Sequence, residues 1–313
     1  MTTDRRSILQ SITGAALLAP FLGTEQALAA QGAYSGAAVT PASPSAPANP
    51  SVAEQKAMAD QHMEAMSRVL GPGLFGKEEI AMLVYPKFTA LDLVGPHYFF
   101  ACLFGAKVHL VTTEKDLSPV KSDLGLAVVP TVTMADAPKD LDVLFMPGGT
   151  EGTLAVMSRP DAIAWVKDRA ARAKHVTSVC TGSMILAKAG LLKGKRATSH
   201  WAVRDVLAEY GAIPVDARVV QDGNVLTGAG VTSGMDFAIA LTEILRGRAY
   251  AEGLVLQGEY APDPAIKGGT LATTSQPVGD MMSQMFAPLK TMFGALAILS
   301  ALREREATGR GGL

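Results

Sequence analysis

The chain has 313 residues, 48% hydrophobic and 18% charged, with a formal net charge of -1. That composition describes a globular protein with ample material for a core, and it argues against a nucleic-acid or other polyanionic partner. Two cysteines, Cys102 and Cys180, cannot supply a disulfide framework for a chain of this size.

Residues 1–29 read as a twin-arginine-type signal peptide. Arg5-Arg6 precedes a mildly apolar stretch, Ile8 to Leu22, and Ala27-Leu28-Ala29 offers a small-x-small cleavage site. The expected compartment is the periplasm, which an ordinary Sec signal would also reach. Residues 30–77 then form a Pro/Ala/Ser-rich spacer and a short helix, Val52 to Leu70, ended by Gly71-Pro72-Gly73.

The globular domain spans 78–265. Ile80 to Tyr85 is a fully apolar run of the kind found in buried parallel strands. A loop from Phe88 to Pro96 leads into a helix holding Phe99 and Phe100. Val108 to Thr112 is a second strand, and Leu126 to Val132 holds one or two short ones. Leu141 to Met146 is another apolar strand, running into the turn Pro147-Gly148-Gly149-Thr150. A helix from Pro160 to Ala173 precedes the strand before Cys180. Beyond it lie a strand at Arg196 to Ser199, a helix at Ala202 to Tyr210, an Asp-Gly hairpin within Arg218 to Thr227, and a helix from Ser233 to Arg246. Strands alternating with helices predict one doubly wound α/β domain with a mostly parallel sheet. Residues 266–313 are a loop and an apolar helix. Pro288 and Lys290 interrupt that helix, so it is expected to fall short of a membrane span and to pack on the domain or a second subunit.

The chemistry centres on His175 to Ala187. Val176, Thr177 and Val179 suit a strand, Gly182 onward suits an apolar helix, and Cys180 stands at the junction. This is the layout of a nucleophile elbow with Cys in place of Ser. The positive end of the next helix favours a thiolate, so Cys180 is expected to have a depressed pKa and to alkylate before Cys102, which lies in an apolar run. Asp92, Gly148-Gly149 and Cys180 all follow strands, and ligands in open α/β sheets bind at carboxyl strand ends. The amides of Gly149 and Thr181 would then stabilise charge on a substrate atom attacked by Cys180, with Asp92 transferring protons. No cluster here has zinc-site spacing, and neither a metal nor a cofactor is expected.

The motifs Leu91-Asp92-Leu93-Val94-Gly95-Pro96, Met146-Pro147-Gly148-Gly149, Thr177 to Ser183, Gly190-Leu191-Leu192, Arg196 to Trp201 and Glu259-Tyr260-Ala261-Pro262 together resemble the DJ-1/PfpI family. Within it they are similar to the isonitrile hydratase branch. The resemblance implies a flavodoxin-like sandwich of the class I glutamine amidotransferase type, a homodimer and a small-molecule substrate. It also implies Cys180 as nucleophile, Asp92 where many relatives carry Glu, and Thr181 as the hydratase-type residue after the nucleophile. His200 falls where several relatives place a histidine near the thiol, though a packed histidine beside Trp201 fits equally well. The implied reaction is hydration of an isonitrile to an N-substituted formamide. The alternatives are a binding or sensing module on the same fold, and glyoxalase or deglycase chemistry.

Overall fold

A computed structural model describes residues 50–307. The expected signal peptide and most of the spacer's Pro/Ala/Ser-rich run lie outside the described residues. The chain divides into two units, one ending at Gly71 and one beginning at Pro72.

In the first unit, α1 (Val52–Leu70) buries no residue and rests on local terms. Ser51 and Glu54 form a reciprocal capping box, and Lys56–Asp60 and Glu64–Arg68 pair one turn apart. Gly71, at φ +54°, ends the helix.

The second unit is built on a seven-stranded sheet. Its strands are β1 (Glu79–Val84), β2 (Lys107–Thr112), β5 (Val132–Thr133), β6 (Leu141–Met146), β7 (Ala173–Val179), β10 (Val219–Asp222) and β11 (Val225–Gly228). They lie in the order β10-β11-β7-β6-β1-β2-β5, with β10 antiparallel to β11 and every other pairing parallel. Two-stranded pairs, β3 (Val120–Lys121) with β4 (Ala127–Val128) and β8 (Arg196–Ala197) with β9 (Ile213–Pro214), sit apart from it. The central strands β1 and β6 are mostly apolar and buried because helices cover both faces. One group is α2 (Ala90–Ala101), α6 (Ser233–Arg246) and α7 (Arg248–Gln257). The other is α3 (Glu151–Met157), α4 (Pro160–Ala170) and α5 (Gly182–Lys188). Phe100 of α2, Phe145 of β6 and Phe237 of α6 form one buried aromatic cluster, with ring centroids 5.5–6.3 Å apart. The architecture is the expected flavodoxin-like α/β sandwich.

An ion pair fastens the sheet's entry to the end of α6. Arg246, almost wholly buried, meets Glu78 and also donates to the carbonyls of Gly73, Leu74 and Phe104.

Three local expectations change. Helix α2 starts at Ala90 rather than after Pro96, which puts Asp92 in its first turn. The stretch before Tyr210 is a 3₁₀ segment, Arg204–Tyr210. The C-terminal helix α8 (Gln276–Ala307) runs unbroken through Pro288. Pro288 and Gln284 are both exposed, so water can take the place of the N–H that Pro288 lacks. Neither Pro288 nor Lys290 breaks the helix, and by length and composition alone Gln276 to Arg303 would suffice to cross a membrane. One stripe of α8 nonetheless packs on the domain. Phe293 and Ala297 are buried, Tyr210 donates to the Phe293 carbonyl at 3.0 Å, and Lys290 pairs with Asp205.

Candidate active site

Strands β1, β6 and β7 are neighbours, and their carboxyl ends bring the three sequence-predicted elements together. Cys180 directly follows β7 and has φ +58°, a left-handed value that a non-glycine residue adopts only when held. Its N–H donates to the carbonyls of Gly228 and Ala229 at 3.1 and 3.2 Å. Its carbonyl accepts from the hydroxyls of Ser183 and Ser199 at 3.1 and 3.0 Å. These four contacts lock the elbow, and α5 begins two residues later.

Asp92 reaches this elbow from α2 and is fully buried. Its Oδ2 accepts the Gly148 N–H at 3.0 Å, while Thr89 N–H donates to the Gly148 carbonyl at 2.8 Å. The start of α2 is thereby clamped to the Pro147-Gly148-Gly149 turn. A β-carbon on Gly148 would stand 2.6 Å from Asp92 Oδ2, 2.7 Å from Cys180 Cβ and 2.8 Å from the Thr181 nitrogen. Glycine is what lets the carboxyl and the thiol approach.

Electrostatics revise the expected thiolate. Burial, then the Asp92 charge, push the Cys180 thiol well above its ordinary value, although the Thr181 N–H and hydroxyl act in the opposite sense. Burial also lifts the Asp92 carboxyl to about 7, against lowering contacts from Cys180 and Gly148. Asp92 Oδ1 is buried without a hydrogen-bond partner. The expected depressed cysteine is thus corrected. Near neutral pH the pair keeps at least one proton, because burial disfavours the charged form of each group and a second negative charge in the same dry pocket would add repulsion.

The oxyanion expectation is also corrected. The Gly149 N–H is already bonded to Thr181 Oγ1 at 2.9 Å, and the Gly148 N–H to Asp92. Thr181 Oγ1 lies 2.8 Å from the Gly149 carbonyl, to which it donates, and 2.9 Å from Thr153 Oγ1. Thr153 in turn meets Tyr85 Oη at 3.1 Å. This buried hydroxyl chain holds the glycine turn against the elbow. The Thr181 N–H, which faces the thiol, is the donor left for developing charge.

His200 comes to the site from another side. A β-carbon on Gly230 would meet His200 Cδ2 at 2.4 Å and Cys180 Sγ at 3.3 Å, so histidine and thiol flank that glycine. Burial lowers the imidazole to about 4 and keeps it neutral. Its Nδ1 accepts a long hydrogen bond, 3.4 Å, from the Ala202 N–H, which leaves the proton on Nε2. Sequence reasoning missed Gly230, Thr153 and Tyr85. The first sits in an unremarkable Gly-Ala-Gly stretch, and the other two act through pairings remote in sequence.

The DJ-1/PfpI family model matches residues 78–244. The chain belongs to the DJ-1/PfpI family. It is 46% identical over 210 residues to an isonitrile hydratase of Pseudomonas putida, a match covering 67% of this chain and 90% of that protein. It also resembles a deglycase of Thermococcus kodakarensis, 39% identical over 87 residues, covering 28% of this chain and 52% of the other. The crystal structure of a ThiJ/PfpI family protein from Pseudomonas syringae superposes with a TM-score of 0.71 at 52% identity, covering 74% of this chain and 94% of that one.

Proposed function

We propose that this protein is an isonitrile hydratase that adds water across the terminal carbon of an isonitrile to give an N-substituted formamide. The observation that carries the reading is the buried Asp92–Cys180 pair, whose carboxyl titrates near neutrality. The long match to an isonitrile hydratase supports it. An isonitrile carbon is a soft electrophile suited to sulfur. In the singly charged pair, transfer of the thiol proton to Asp92 yields a thiolate beside a carboxylic acid. The thiolate attacks the terminal carbon, and Asp92 delivers the proton to that carbon, giving a thioimidate, Cys–S–CH=N–R. Asp92, now a carboxylate, takes a proton from water as its oxygen adds to the same carbon. Asp92 passes that proton to nitrogen and then takes the hydroxyl proton as the carbonyl forms and the C–S bond breaks, so R–NH–CHO leaves and the thiolate is restored beside the protonated carboxyl. A general acid–base works best with a pKa near the working pH, and about 7 meets that condition. The Thr181 N–H stabilises the charge that develops at the reacting centre.

The reading extends to export through the Arg5-Arg6 leader and to a homodimeric assembly. Its test is product analysis. The purified protein should convert an alkyl isonitrile to its formamide, Cys180→Ala should not, and methylglyoxal should be a poor substrate. Rapid methylglyoxal loss without formamide would favour the glyoxalase or deglycase alternative.

A further inference from the structure

Helix α8 begins beyond the family-matched residues, yet one of its side chains reaches the edge of the site. The Phe286 ring lies 5.3 Å from the His200 ring and 5.5 Å from Trp201, the latter edge-on at 78°. His200 and Trp201 are themselves 5.5 Å apart. The three rings form one closed cluster. Its inner member, His200, borders Gly230 and through it Cys180 Sγ. On the outer side, Trp201 and Phe286 line a groove of about 440 Å³ together with Leu271, Ala287, Arg204 and Lys290. The cluster therefore stands between the buried thiol and an open, partly apolar groove.

What fixes the imidazole is packing. Its hydrogen bond from Ala202 is long, whereas two aromatic rings, Trp201 and Phe286, pack against the imidazole at tilted angles. Aromatic contacts of this kind are directional and sensitive to loss of one partner. The ring of Phe286 is held in turn, because neighbouring points of α8 are fastened to the domain: Lys290 to Asp205, Phe293 in the core and Tyr210 to the Phe293 carbonyl.

We propose that Phe286 is a positioning residue of the active site, supplied by the appended helix, which seats His200 as a fixed wall beside Cys180 and restricts the size of the group admitted to the thiol. The proposal rests on Cys180 being the nucleophile. The selectivity it implies is for compact substituents next to the reacting carbon, with bulk tolerated only farther out, toward the Trp201–Phe286 groove.

The test reads the thiol directly, independently of any isonitrile. In the full chain, Phe286→Ala should raise the labelling rate of Cys180 by bulky N-ethylmaleimide about tenfold, the change that follows when one aromatic packing contact is lost. Compact iodoacetamide should gain less. Phe286→Leu, which refills the space, should label near the wild-type rate, and Cys102 should label equally in all variants. In a His200→Ala background, Phe286→Ala should add nothing further. Three results would overturn the proposal: equal Cys180 labelling in wild type and Phe286→Ala, an equal acceleration at Cys102, or a full additional effect of Phe286→Ala without His200. If the labelling pattern holds while no isonitrile is turned over, Phe286 keeps its role and the substrate assignment falls instead.

Discussion

Asp92 and Cys180 meet across the bare α-carbon of Gly148, where an added methyl would stand 2.6 Å from the carboxyl oxygen and 2.7 Å from the cysteine Cβ. Both distances are too short for either neighbour to stay in place. Gly148→Ala should therefore separate the acid from the thiol while the sheet beneath stays intact. The expected cost is about 1–3 kcal/mol of stability, typical of overpacking, with at least a hundredfold loss of turnover. Denaturant melts together with formamide assays check this; a variant of wild-type activity would mean the close approach is irrelevant.

The pH profile follows from the pair. Below about 7 both partners hold protons and no thiolate is available. Above it one proton is lost, and the reactive arrangement is a tautomer of that singly charged state. Turnover and Cys180 alkylation should thus rise with pH through about 7 and then level, with the inflection belonging to the pair. Asp92→Asn should abolish this inflection and slow turnover about 10²–10⁴-fold.

Stability should carry the opposite sign. The folded carboxyl titrates at about 7, above its ordinary range, so the folded state binds the proton more tightly than the unfolded chain does. Stability contributed by the protonated carboxyl is present below about 4 and is lost as pH rises to about 7, by on the order of 4 kcal/mol. Between those limits Asp92→Asn should lose less stability than the wild type. Parallel slopes in urea titrations would refute it.

Arg246 and Glu78 form the most buried ion pair among the described residues. Arg246→Met leaves the Glu78 carboxylate and three backbone carbonyls without their donor, and should destabilise by about 3–5 kcal/mol. Adding Glu78→Gln should recover part of that loss, because the stranded charge is removed. Thermal melts of the two variants check the order.

The proposed export makes its own demand. Arg5→Lys together with Arg6→Lys should hold the precursor in the cytoplasm uncleaved, while the wild type matures near Ala30. Fractionation with terminal sequencing reads this, and unchanged processing would assign the leader to Sec.

The sheet was legible because Ile80 to Val84 of β1 and Val143 to Met146 of β6 are apolar runs and because small residues mark the turns after β6 and β7. The elbow at Cys180 was legible for the same reason. The start of α2 was not, since Pro96 is a break signal that a buried, well-packed helix overrides. The raised proton affinity of Cys180 was hidden because the local signal, a helix N-terminus, pointed downward. Burial and Asp92, both tertiary, decided it. The engagement of the Gly149 amide depends on Thr181 folding back across 32 residues, and no spacing in the chain announces that.

The central claim is that Cys180 bonds to the isonitrile carbon on the way to product. Rapid quenching of the wild-type protein with an excess of alkyl isonitrile, followed by peptide mass spectrometry, measures this most directly. The account predicts a transient mass gain of one isonitrile on the peptide bearing Cys180 and none on that bearing Cys102, appearing before formamide and decaying as formamide accumulates. Formamide production with no adduct at any quench time, and at an undiminished rate in Cys180→Ala, would contradict it.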